Sequence, residues 1–270
     1  MEGSPGSWFG RNEFLIRRLH SLTGLVPVGA YMCIHLLVNS STLGGPEMFQ
    51  RNVDLIHTLG PALPLVEWTF IFLPLIFHAV VGVVIIRSGD PNLSSYYLVG
   101  NVRYFLQRAT AWIALFFIGW HVFHMHGWIH NETWLRAIEG WGHRFDPHRA
   151  TSTAALALQP WAVKALYLVG VLSCVYHLAN GLWTMGITWG VWTSAAAQRR
   201  ADWLCGAFGI GLAAVSLGAL VGVSRTDVPE AQAYEQAHIE ARESELRRAE
   251  EVLRSRRTAG TPDPQPVRNR

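Results

Sequence analysis

The chain has 270 residues, of which 50% are hydrophobic and only 15% charged, too apolar and too sparsely charged for a soluble domain of this length. Its net charge of +3 comes from basic residues set beside apolar runs, a membrane-topology pattern that argues against nucleic acid as a partner. Cys33, Cys174 and Cys205 fall inside apolar segments with no CxxC, which excludes a zinc ribbon and reads as small core residues.

In chain order, five apolar segments stand out, over 19–38, 65–86, 109–128, 161–186 and 203–223, each near the ~20 residues a spanning helix needs. The second, LVEWTFIFLPLIFHAVVGVVII, extends ~33 Å at 1.5 Å per residue, against a hydrocarbon core of ~30 Å. Lipid leaves isolated strands with unpaired backbone groups, and no barrel-like alternation is present. The expected fold class is therefore all-α, an integral membrane bundle of five transmembrane helices. The polar N-terminus carries Arg11, Arg17 and Arg18 and lacks a small-residue cleavage site, so no removed signal peptide is expected. Arg87, Arg103 and Arg108 cluster in the second connection and Arg199 and Arg200 in the fourth, which assigns these and the N-terminus to the cytoplasmic side and the C-terminus to the outer side.

The fifth segment has Gly218 and Gly222 at small-xxx-small spacing and reads as a packing helix. Composition changes sharply after it, dividing the chain into a membrane domain over 1–223 and a charged tail over 224–270. Within the tail, 228–257 is dense in Glu, Arg and Ala and reads as a solvated helix, and 258–270 as a disordered end.

An ionisable side chain inside a span is costly and points to function. Of twelve histidines, His35, His78, His121 and His177 lie well inside the first four segments, one in each. Any one alone reads more readily as a packing residue; four together do not. With helix directions alternating, His35 and His121 lie ~18–22 Å from the cytoplasmic starts of their helices, nearer the outer face. His78 and His177 lie ~20–24 Å from the outer starts of theirs, nearer the cytoplasm. Two histidines at one depth on facing helices supply both axial ligands of a haem, so the depths predict two stacked haems b. Both axial positions are then filled, which suits electron transfer and not chemistry on a bound substrate. Gly24, Gly29, Gly82, Gly119 and Gly181 admit close approach of a flat macrocycle, and equally tight helix packing.

His124 and His126 follow His121 and compete with it as ligand. His57, His130, His143 and His148 read as outer surface residues and His238 belongs to the tail. His20, beside Arg17 and Arg18, is a candidate partner of the inner haem's propionates, with a positive-inside anchor as the plain alternative.

The text flanking these histidines carries a resemblance. RRLHSLTGLVPVGAYMCIHLLVN (17–39), IFLPLIFHAVVGV (71–83), LQRATAWIALFFIGWHVFH (106–124) and YLVGVLSCVYHLANGLWTMGITWG (167–190) resemble the dihaem cytochrome b membrane subunit of succinate dehydrogenase, the cytochrome b558 type, over about residues 12–222. The resemblance implies a succinate:quinone oxidoreductase of a bacterial inner membrane, in which a flavoprotein with FAD and an iron–sulfur subunit dock on the cytoplasmic side. It implies outer-haem ligands at His35 and His121, inner-haem ligands at His78 and His177, and menaquinone as acceptor. It allows a higher oligomer of the complex, and the same architecture run backwards reduces fumarate. Two other functions compete: the cytochrome b anchor of a hydrogenase or formate dehydrogenase, against which RRLHS (17–21) and NGLW (180–183) speak, and a transporter or scaffold using its histidines for proton relay or packing.

Quinone reduction also consumes protons, and Glu67, following Pro64 at the outer start of the second segment, is the candidate catalytic proton carrier, with Trp68 and His57 as weaker neighbours. Its plainer reading is a first-turn carboxylate that complements the helix dipole.

Overall fold

The computed structural model describes residues 8–87, 99–129 and 131–259; His130, part of the second connection and the proline-rich end lie outside them. The described residues form helices joined by turns and loops, with no strand. Four helical stretches are long and apolar enough to cross a membrane: Arg11–Gly44, Gly60–Arg87, Trp161–Thr188 and Ala195–Arg225. They correspond to the first, second, fourth and fifth predicted segments, each longer than predicted because the helices continue into polar residues at their ends. The third segment forms a helix as long as the fourth, Val99–His126, but it is not among the four. His121, His124 and His126 crowd its final turns and dilute its apolar character.

Proline sets the breaks. Helix α1 (Trp8–Leu25) ends before Pro27, which has no N–H to continue the ladder and instead opens α2 (Pro27–Ser40). Arg17 and Arg18 consequently lie within α1, not ahead of the first helix, and His20 lies in its second half. After a short turn over Ser41–Gly44, α3 (Pro46–His57) runs as an amphipathic helix, and α4 (Leu63–Glu67) begins the next span. A π turn follows at Trp68–Phe72, where Leu73 N–H donates to Trp68 C=O, and α5 (Leu73–Arg87) continues. Pro74 cannot donate and crowds the preceding turn, a sufficient cause for the bulge. Glu67 thus ends α4 just before the π turn; the span begins at Gly60, so it is not a first-turn residue as expected.

The remaining elements are α6 (Val99–His126), α7 (Glu132–Ala137), α8 (Ala150–Ala157), α9 (Trp161–Thr188), α10 (Ala195–Arg225) and α11 (Val228–Ala259). Helices α6 and α9 pack through Ala114, Phe117, Tyr167 and Cys174, and α2, α9 and α10 through Leu36, Val175, Leu178 and Leu212. The small-residue seam of α10 is used within the chain: Gly222 lies against Thr42 and Gly218 against Leu43.

The end of the bundle formed by the first and third connections carries a cap. Helix α3 buries Phe49 and Val53 against Ala150 and Ala154 of α8. The first turn of α8 is satisfied from far along the chain. Gln50 Oε1 accepts from Ala150 N–H at 3.0 Å. Glu235 Oε1 accepts from Thr151 N–H at 2.8 Å and Ser152 N–H at 2.9 Å, while its second oxygen accepts from the Ser152 hydroxyl. A carboxylate at a helix start complements the dipole there. Nearby, His238 Nε2 lies 2.8 Å from Asp54 Oδ2. The expectation of a fully solvated tail therefore fails for the first turns of α11, where Ala231 is 0% and Glu235 1% exposed. Replacing Glu235 with alanine is expected to release this part of α11: two buried N–H groups and a hydroxyl lose their acceptor, at about 1–3 kcal/mol each. Limited proteolysis reads the result, with faster cleavage after residue 228 in Glu235→Ala than in Glu235→Gln, which keeps an acceptor oxygen; equal rates contradict the assignment.

Candidate functional site

The four intramembrane histidines meet in two pairs. His35 on α2 and His121 on α6 have ring centroids 5.8 Å apart with planes at 75°. His78 on α5 and His177 on α9 have centroids 6.2 Å apart with planes at 85°. Tyr167, which contacts His121, and His177 are ten residues apart on α9, so the pairs sit ~15 Å apart along the bundle. These are the pairings that helix depth alone predicts.

The residues fit a haem iron. A metal–imidazole bond is about 2 Å long and the bonding nitrogen lies about 1 Å from the ring centre, so two imidazoles sharing one metal have centroids roughly 6 Å apart. Three of the four rings also have Nδ1 engaged by oxygen: His78 with His20 C=O at 2.8 Å, His177 with Gln107 C=O at 3.2 Å, and His121 with the Tyr167 hydroxyl at 3.1 Å. A hydrogen on Nδ1 leaves the Nε2 lone pair for a metal and makes the ring a better donor. Among the described residues no three or more His, Cys, Asp or Glu side chains group to hold a metal by themselves. A bis-histidine haem needs only two, because the porphyrin supplies the other four ligands.

Around the His78–His177 pair, His20 stacks on His78 with centroids 4.0 Å apart and planes within 11°, and its own Nδ1 is buried without a hydrogen-bond partner. Gly24 leaves the room for this arrangement, since a Cβ at that position would overlap His78. The other site candidates on α1 are turned elsewhere. Arg17 pairs with Glu13 at 2.7 Å, and Arg18 lies over the rings of Phe14 and Trp189. A polar chain leads from His177 towards the end of the bundle. Asn180 donates to Gln107 Oε1 at 2.8 Å, and Arg103 donates to Asn180 Oδ1 at 2.9 Å while also pairing with Asp202 and lying over Trp183. Asn180, a polar residue inside the fourth apolar segment, carries a sequence signal that the histidines do not, and Gln107, two residues ahead of the third, is the partner it faces.

Around the His35–His121 pair, Tyr31 lies 5.5 Å from His35, and His124 is buried against Trp120 at 4.6 Å. Glu67 is half-buried and within electrostatic reach of Tyr31 and His57. Trp68 is in contact with Phe72, and Phe72 lies 6.1 Å from His126. The cysteines are free, with Cys174 and Cys205 buried as expected and Cys33 half-buried.

The chain therefore presents an α-helical membrane protein with two intramembrane histidine pairs. No family model matches it. It is 36% identical over 211 residues to the succinate dehydrogenase cytochrome b558 subunit of Bacillus subtilis (strain 168), a match spanning 78% of this chain and 97% of that protein. The chain belongs to the family of succinate dehydrogenase cytochrome b558 subunits.

Proposed function

We propose that the chain is the membrane anchor and electron-transfer subunit of a succinate:quinone oxidoreductase, holding two haems b and delivering electrons from an iron–sulfur partner to menaquinone. The observation that carries this reading is the meeting of four intramembrane histidines from four helices as two ring pairs at opposite levels of the bundle. His78 and His177 hold the inner haem, and His35 and His121 the outer. Haem iron ligated on both faces has no open position and supplies one-electron transfer. The backbone carbonyls of His20 and Gln107 fix the inner rings, and the unpartnered Nδ1 of His20 supports its role towards the propionates; Arg17, paired with Glu13, and Arg18, lying over Phe14 and Trp189, join it only by leaving these partners. Helix α6 completes a five-span bundle in a bacterial inner membrane, with the N-terminus cytoplasmic.

FAD and the iron–sulfur clusters belong to flavoprotein and iron–sulfur subunits on the face carrying Arg11, Arg17, Arg18 and Arg87, so this chain is not catalytic for succinate by itself. Copurification tests the assignment: flavin is expected with the complex, and nickel or a molybdenum cofactor in its place would make the chain a hydrogenase or formate dehydrogenase anchor.

Glu67 is the proton carrier of an outer quinone site. Its partial exposure beside a π turn supports the role, since such turns recur at functional sites. Delivering electrons outward lets the membrane potential assist an uphill oxidation, by ~2.3 kcal/mol per charge per 100 mV. In Glu67→Gln, quinone reduction is expected to fall severalfold while both haems stay and succinate still reduces them. Unchanged turnover across pH would remove Glu67 from the mechanism.

A further inference from the structure

Two histidines three residues apart on α6 share one hydroxyl. Tyr167 Oη lies 3.1 Å from His121 Nδ1 and 3.2 Å from His124 Nδ1. Tyr167 and His124 are withdrawn from solvent, at 5% and 7% exposure, and His121 is half-buried. The phenol is held edge-on by Phe117 at 5.4 Å and Trp120 at 5.5 Å, and Trp120 in turn lies flat on His124. The inner rings differ, because both bond to backbone carbonyls, which accept and cannot donate.

A hydroxyl carries one hydrogen and can donate to only one of these nitrogens, and a buried hydroxyl uses that hydrogen on a nitrogen that carries none. A histidine that ligates iron through Nε2 must carry its hydrogen on Nδ1. We infer that Tyr167 is the positioning residue of the outer ligand: its oxygen accepts the Nδ1 hydrogen of His121 and its own hydrogen goes to Nδ1 of His124. This rests on the haem reading of the site. The chain of bonds fixes the tautomer of His121 and strengthens its donation to the metal, and the second bond, to His124, makes the tyrosine oxygen a better acceptor. It also gives His124 a role other than ligand, as the far end of the relay.

A more basic axial ligand favours ferric iron, so loss of the bond raises the potential of the outer haem alone. The test uses the full complex with Tyr167→Phe and with His124→Ala, measuring haem content, anaerobic midpoint potentials and low-spin electron paramagnetic resonance. Tyr167→Phe is expected to keep both haems, to shift the low-spin signal of the outer one and to change its oxidised-to-reduced ratio at fixed potential about tenfold, ~59 mV for one electron, with the inner haem unmoved. His124→Ala is expected to move the outer haem the same way by less. Wild-type potentials and signals in Tyr167→Phe, an equal shift of both haems, or loss of the outer haem in His124→Ala would each overturn the inference. If Tyr167→Phe does not assemble, an unmoved outer potential in His124→Ala overturns it alone. Failure of the haem reading is distinct, because the wild-type complex would then lack two haems.

Discussion

Replacing His121 with alanine is expected to leave the complex with one low-spin haem where the parent has two. His121 is the ring that faces His35 at 5.8 Å, and its removal leaves one axial position without its ligand. The inner pair sits at the other level of the bundle, bonded to carbonyls of α1 and α6, and should keep its haem with wild-type spectrum. The pyridine haemochrome content per flavin should therefore halve. Two low-spin haems at wild-type occupancy in His121→Ala would transfer the ligand role to His124, the neighbour held by the same tyrosine hydroxyl.

The complementary loss is expected from a single methyl group. A Cβ at Gly24 would overlap the imidazole of His78, whose position is fixed on one edge by His20 C=O and on one face by the His20 ring. Relief by a small backbone shift is resisted because α1 and α5 are also in close contact one turn away, where a Cβ at Gly82 would lie 3.3 Å from the His20 ring. Overpacking of this kind costs about 1–3 kcal/mol in a well-packed interior, and here the group displaced is itself a ligand. Gly24→Ala should lower inner-haem occupancy or shift its spectrum while the outer haem is untouched. An inner haem unchanged in amount and spectrum would mean that His78 does not occupy this position in the loaded complex.

Much of this architecture is legible in the sequence because membrane helices are governed by a single dominant pattern. Apolar length locates four of the spans, and residue counts from alternating ends pair His35 with His121 and His78 with His177. The sequence says less where partners are distant. Helix α8, with its small residues ATSTAALA, has no amphipathic face to announce it, and its N-terminus is satisfied by Gln50 and Glu235, each more than eighty residues away. Glu235 looks like one more charge in a solvated helix until the helix it caps is seen. Tyr167, six residues into the fourth segment, has no local signal that names its partner, and only the packing of α6 on α9 brings its hydroxyl to His121. Length and apolar content alone also do not mark α6 as a crossing, since the histidines that argue for its function dilute its hydropathy.

The central claim, that this chain holds two haems between its four histidines and receives electrons from succinate, is tested most directly by anaerobic absorption spectra of the intact complex, titrated first with dithionite and then, in a fresh sample, with succinate. The expected result is two b-type haems that titrate in separate steps with dithionite, with succinate reducing the inner one first. A complex lacking a Soret band, or one whose haems respond to dithionite and stay oxidised with succinate, would contradict it.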